Sequence, residues 1–308
     1  MRTAFIEGLV ELAEQDPDIW LLNADLGYSV LEVFRDRFPD RYVNVGVAEQ
    51  NMIGVAAGLA LSGCKVFVYS IGNFPTQRCL EQLRVDVCYH KAHVVVVAVG
   101  GGFSYGSQGY THHAIEDLAV MRALPGMRVA VPADPHETRA LLGYLATKPG
   151  PGYLRLGRAG EANLHSQALR SVPLTPQVMR EGNDVAICAT GAIVGEALKA
   201  GGLLQARGVS ARIVSVPVLK PFDGRAFLSI VAGVPAVLTV EEHSKIGGLR
   251  DTVAPIMAEA AGAAPLHALG VEDGASFGAV LGQEAMRAHC GIDAAAIVAR
   301  ALAALDAR

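Results

Sequence analysis

Short apolar runs alternate with helix-length stretches through the first half of the chain. Runs at 20–23, 42–45, 65–69, 93–99, 127–131 and 152–156 read as strands. Between them, 29–38, 48–62, 74–89, 115–123 and 135–147 read as helices. Several of the strands are apolar without alternation, the pattern of a parallel sheet buried on both faces. The pattern weakens from about 157 to 183, where Pro173 and Pro176 interrupt it. It then restarts, with strands at 184–190, 209–216, 236–240 and 265–269 and helices at 193–207, 247–261 and 292–305. Gly208 closes the first of these helices. The predicted fold class is therefore α/β, in two domains at 1–160 and 183–308 joined by a linker at 161–182. Each domain is a mostly parallel sheet flanked by helices.

Composition narrows the function classes. Of 308 residues, 51% are hydrophobic and 18% charged, which is enough apolar surface for a core and excludes a disordered chain. Twenty-six basic against 30 acidic residues leave a net charge of −4, so nucleic acid is not an expected partner. No uninterrupted apolar run reaches the ~18–20 residues of a membrane span, and no membrane partner is expected. Glu7 and Glu11 interrupt the apolar start, which does not read as a secretory leader. The five cysteines, Cys64, Cys79, Cys88, Cys188 and Cys290, form no C-x-x-C pair. They read as small buried hydrophobes in a reducing, cytoplasmic setting.

Candidate chemistry gathers where strands end. In YVNVGVAEQNMIGVAAGLALSG, at 42–63, a strand meets a helix and Glu49 falls in the first helical turn. Ligands collect at that edge of an open α/β sheet, although a carboxylate there also simply complements the helix dipole. Gly54, Ala56, Ala57, Gly58 and Ala60 leave the helix almost without bulk. Each glycine costs ~1 kcal/mol against alanine, so another chain or a flat cofactor is expected to approach this backbone. The glycine-rich loop at 100–113 also follows a strand. It is no dinucleotide fingerprint, because G-x-G-x-x-G needs glycine where Tyr105 stands.

These residues resemble the pyrimidine-binding domain of thiamine-diphosphate enzymes of the transketolase group. The resemblance runs on through FPTQRCLEQLRVDVCYH, GSQGYTHHAIEDLAVMRALPGMRVAVPAD and GYLRLGR. It resumes in DVAICATGAIVGEALKAGGLLQARG and VEEHSKIGGL, in the order of the C-terminal half of a transketolase. The family's GDG signature for diphosphate and metal does not occur in this sequence. The chain thus resembles the β subunit of a split transketolase. That implies thiamine diphosphate as cofactor, with Mg²⁺ and the diphosphate held by a separate α subunit in an α₂β₂ assembly.

The resemblance also assigns residues. Glu49 matches the glutamate that bonds the cofactor's pyrimidine N1′. Phe74 matches an aromatic packed on that ring, while Ile71 and Gln77 stand where transketolases carry further aromatics. Asp25 belongs to the cofactor surroundings. His112 matches the histidine of the DG-x-TH motif, which bonds a substrate oxygen. Gln108 replaces an aspartate that binds a substrate hydroxyl. Gly100 replaces a substrate-binding histidine, a change expected to open space, and Tyr110 and His113 are further departures. Arg158 and Ser29 match phosphate contacts, so a sugar or sugar phosphate is the implied substrate. Glu241, Glu242 and His243 resemble metal ligands by spacing, but the family reading makes them a structural loop.

The implied activity is transfer of a two-carbon ketol unit between carbonyl compounds. Two other readings stay open: the β subunit of a 2-oxoacid dehydrogenase decarboxylating component, and a non-catalytic stabilising partner.

Overall fold

The computed structural model describes residues 1–158, 160–169 and 171–306. In chain order the strands are β1 (Ile19–Asn23), β2 (Tyr42–Asn44), β3 (Lys65–Ile71), β4 (Val94–Val99), β5 (Arg128–Ala130) and β6 (Gly152–Leu156). They continue with β7 (Gln177–Arg180), β8 (Val185–Thr190), β9 (Ala211–Ser215), β10 (Val218–Lys220), β11 (Val237–Ser244) and β12 (Leu266–Val271). The helices are α1 (Arg2–Gln15), α2 (Glu32–Arg37), α3 (Glu49–Leu61), α4 (Leu80–Gln82), α5 (Asp117–Ala123) and α6 (Pro135–Thr147). Then come α7 (Val194–Gln205), α8 (Gly224–Val231), α9 (Leu249–Glu259), α10 (Gln283–His289) and α11 (Ala294–Asp306).

The seven-stranded sheet has the order β10-β5-β6-β4-β3-β1-β2, and all neighbours run parallel except β10 against β5. The five-stranded sheet has the order β12-β11-β8-β9-β7, with only β7 antiparallel. The all-apolar strands are the central ones: every residue of β4 (VVVVAV) and of β8 (VAICAT) is buried. One apolar core joins both halves, since Leu118 and Val131 belong to the same buried cluster as Val216 and Phe227.

Several elements depart from the expected pattern. The segment expected to link the domains contains β7, an edge strand of the second sheet. Strand β10 comes from the second half of the chain yet closes the edge of the first sheet. The helix expected at 29–38 begins only at Glu32, because Gly27 and Ser29 take positive φ values of 90° and 60°. The helix expected from Phe74 begins at Leu80 and continues as a π-helix, Leu83–Tyr89. Ahead of it, Thr76 Oγ1 donates to Gly72 O at 2.7 Å and Cys79 Sγ to Phe74 O at 3.2 Å, side-chain bonds that hold the turn. Glu241, Glu242 and His243, expected in a loop, are buried residues of β11.

The stretch Gln283–Asp306 is long and apolar enough on average to cross a membrane. Gly291, at φ 65°, instead separates it into α10 and α11.

Candidate active site

Parallel strands bring their carboxyl ends to one edge. Asp25 follows β1, Asn44 ends β2, Ile71 ends β3, the loop at 100–113 follows β4 and Arg158 follows β6. Asp25 is tied to the turn that leads into α3: its N–H donates to Asn44 Oδ1 at 3.0 Å, and its Oδ1 accepts from Asn44 Nδ2 at 3.2 Å. Gly46 N also donates to Asn44 Oδ1, at 3.0 Å. This knot fixes where Glu49 opens the helix.

Glu49 is 3% exposed. Its Oε2 accepts from Arg78 Nη1 at 2.8 Å, and no bond to Oε1 is formed among the described residues. The Arg78 guanidinium lies 4.5 Å from the centre of the Phe74 ring. His112 meets the same ring edge-on, with centroids 5.4 Å apart. Glu49, Arg78, Phe74 and His112 therefore form one continuous group drawn from α3, the β3–α4 turn and the β4–α5 loop.

Arg78 is the member that the sequence reading missed. The available signal was its i,i+4 spacing from Phe74, which sets a cation beside an aromatic face.

His112 lies in a short helical turn, Tyr110–His112, with Nδ1 2.9 Å from Thr111 Oγ1. Burial, helped by the neighbouring His113, lowers its pKa below 6.5, so the ring is neutral at neutral pH. Gln77 is exposed and donates to Glu116 Oε2 at 3.3 Å; Tyr110 Oη donates to Glu116 Oε1 at 3.0 Å. Ile71 is half-buried and accepts from Phe74 N at 2.8 Å, fixing the turn that carries the aromatic. Gln108 is exposed at the end of the turn Gly106–Gln108.

Two other residues stand off from this group. Arg158 is exposed and forms no ion pair among the described residues; it borders a cavity of about 550 Å³ with Lys199, Glu161 and Glu196. Ser29 is exposed, and its N–H donates to Glu32 Oε1 at 2.9 Å.

Two expectations change. Gly100 opens no space, because the Tyr105 ring lies where its Cβ would be. His113 is no loop departure facing solvent: it is fully buried, with Nε2 3.1 Å from Gly106 O. The face of α3 carrying Gly54 and Gly58 is bare, since an added Cβ at either would meet nothing within 4 Å.

A buried carboxyl with one uncommitted oxygen, beside a half-exposed aromatic ring, fits a flat heteroaromatic group with a ring nitrogen to hydrogen-bond. The donor set suits an aminopyrimidine. Among the described residues no group of three or more His, Cys, Asp or Glu is placed to hold a metal ion.

Residues 1–160 match the family described as "Transketolase, pyrimidine binding domain", and residues 175–297 match "Transketolase, C-terminal domain". One of the two subunits of an apulose-4-phosphate transketolase from Phocaeicola vulgatus is 37% identical over 274 residues, covering 88% of this chain and 87% of that protein. A 6-deoxy-6-sulfo-D-fructose transketolase subunit from a Clostridium species is 36% identical over 299 residues, covering 97% and 92%. A solved split-gene transketolase, described as an inactive β4 tetramer, superposes with a TM-score of 0.88 at 40% identity, covering 99% of this chain and 97% of that one. A transketolase from Pichia stipitis shares the fold, with a TM-score of 0.82 at 24% identity, and this chain spans 45% of it. The chain belongs to the transketolase family of transferases, and it is similar nearly end to end to the β-type chains of transketolases divided between two polypeptides.

Proposed function

We propose that this chain is the pyrimidine-binding subunit of a thiamine-diphosphate-dependent transketolase that moves a two-carbon ketol unit between sugar-like carbonyl compounds. The observation that carries the reading is the buried Glu49 carboxyl, joined through Arg78 and Phe74 to His112 at the carboxyl edge of a parallel sheet. A separate α subunit would hold the diphosphate and Mg²⁺, in an α₂β₂ assembly that covers the bare face of α3. When bound, thiamine diphosphate supplies the nucleophilic carbon that accepts and releases the two-carbon unit.

The residues of this chain do the rest. Glu49 Oε1, the oxygen that Arg78 leaves free, holds a proton in a hydrogen bond to the pyrimidine N1′. Arg78 fixes the carboxyl group in the plane that this bond requires. Phe74 offers an apolar face to the ring, with Ile71 and Gln77 bordering the pocket and Asp25 bracing the turn before Glu49. His112, neutral at neutral pH, can donate to or accept from a substrate oxygen at the opening. Gln108 offers both an amide donor and an amide acceptor where a substrate hydroxyl would sit. Arg158, unpaired and exposed, and Ser29 are suited to an anion at the far end of the substrate. Phosphorylated and sulfonated ketoses both carry such an anion, and both occur in the names of the relatives.

The test is reconstitution. The chain alone should show no turnover, and a matching α subunit with thiamine diphosphate and Mg²⁺ should restore it. In that complex Glu49→Gln should still bind cofactor but slow exchange of its thiazolium C2 hydrogen by about 10³-fold or more, the upper span of acid–base contributions. Wild-type exchange in Glu49→Gln, or full turnover by the chain alone, would sink the proposal.

A further inference from the structure

The loop at 100–116 carries Gln108 and His112, yet it has little structure of its own. It holds two short helical turns and one isolated bridge between Gly102 and Ala114. Its ends are held instead by the carboxyl end of β11, from the other half of the chain.

At the first end, the Glu242 carboxylate accepts from Phe103 N at 2.8 Å. Glu242 is 3% exposed and is itself fixed by Arg287 Nη2 at 2.6 Å and Gln283 Nε2 at 3.1 Å, both from α10. The loop backbone lies hard against it: Gly102 adopts φ 65°, and a Cβ there would come within 2.5 Å of Glu242 Cγ. At the second end, Ser244 N donates to Ile115 O at 2.7 Å. His243 Nε2 accepts from Leu118 N at 3.2 Å and lies 3.4 Å from Ala119 N, while Nδ1 bonds Ser244 O at 2.8 Å. Between the two ends, Arg155 Nη2 donates both to Ala114 O at 2.6 Å and to the backbone carbonyl of Glu242 at 3.1 Å.

We propose that Glu242, His243 and Ser244 form a clamp that grips both ends of the substrate loop and so positions Gln108 and His112. The second domain is then more than a passenger, because it sets the geometry of the opening without touching it. A buried carboxylate suits this role. Its bonds to backbone N–H and guanidinium are strong and directional, and the loop cannot drift without leaving the charge unpaired. The clamp's catalytic consequence rests on the function proposed above; its mechanical part does not.

The experiment therefore has two arms. In the chain alone, backbone hydrogen exchange is followed by mass spectrometry in wild type, Glu242→Ala, Glu242→Gln and the double variant E242A/R287M. The double variant removes the acceptor for Phe103 N without leaving the Arg287 guanidinium buried and unpaired. Exchange across 100–116 should rise at least tenfold in Glu242→Ala and in the double variant, while β4 and β8 stay within twofold of wild type. Glu242→Gln keeps an acceptor oxygen and should restore most of the protection. Should Glu242→Ala not fold, the double variant decides alone. A uniform rise throughout the chain, or none in the loop, overturns the clamp.

In the two-subunit complex with thiamine diphosphate and Mg²⁺, hydroxypyruvate serves as the two-carbon donor. The double variant should raise KM at least tenfold and leave C2-hydrogen exchange of the cofactor within threefold. A loosened loop with unchanged KM overturns the positioning role. Absence of cofactor-dependent turnover in wild type, with the loop loosening as stated, refutes the proposed function and leaves the mechanical clamp standing.

Discussion

His243 gives the clamp a pH limit that can be worked through. The ring is fully buried, and burial pushes its pKa down to about 4 from an ordinary 6.5. Nearby charges modify this: Asp117 opposes the fall, Arg155 deepens it, and Glu241 Oε2 lies 3.8 Å from Nδ1. Protonation would also turn Nε2 from an acceptor into a donor aimed at the N–H of Leu118.

The direction follows from linkage. The unfolded chain takes up the proton near pH 6.5 and the folded chain only near pH 4, so the contribution is complete above 6.5 and is lost as pH falls towards 4. The full loss is about 3.4 kcal/mol, at 1.36 kcal/mol for each pH unit separating the two values. Between about pH 7 and 4.5 the loss is about 2 kcal/mol.

Glu137 and Glu241, whose burial raises both to about 7, act in the opposite direction, so total stability is the wrong quantity to read. The difference between wild type and His243→Gln isolates the ring, since glutamine can accept from Leu118 N but does not titrate. Urea unfolding of both proteins across this range should show wild type losing about 2 kcal/mol relative to the variant. A flat difference would refute the neutral-acceptor assignment.

Two further predictions concern the same region of the fold. Arg155 and Asp117 are 5% and 0% exposed and are joined by two bonds, at 2.8 and 3.2 Å. Arg155→Met should cost about 3–5 kcal/mol by leaving Asp117 buried without its counter-charge, and D117L/R155M should recover most of it; equal losses in single and double variants would contradict the reasoning. In the two-subunit complex, Gln108→Asp should raise kcat/KM for a ketose phosphate by about tenfold or more, by restoring a charged acceptor for a hydroxyl. No change there would count against the placement of Gln108 at the substrate.

The legible parts of the fold were those dictated by burial. Val94–Val99 can be little other than a central strand, and Pro135–Thr147 carries its start signals, Asp134 accepting from Glu137 N and Pro135 in the first turn. Strands β7 and β10 were illegible for the opposite reason: they are short antiparallel edges, whose identity depends on partners far along the chain. Glu49 and His112 were found through motifs, not periodicity. Arg78 and Glu242 were not, because each acquires its meaning from a neighbour that only the folded chain supplies: the start of α3 for one, the backbone of Phe103 for the other. The same limit explains Gly100, where the missing side chain suggested room that the Tyr105 ring already fills.

Strand β10 makes the family's modular description misleading for anyone who would cut the chain. A fragment ending at 160 would keep the whole pyrimidine-binding segment but lose the strip that seals β5. It would also lose Lys220, whose ammonium group donates to the backbone carbonyls of Arg122 and Leu124 at 2.8 and 2.5 Å. The freed edge would present unpaired backbone groups beside an apolar surface, the usual starting point for strand-to-strand aggregation. Domain swaps within this family would therefore transplant 217–220 together with the first sheet, leaving a recipient second domain with a detour in its chain path where the strand had been.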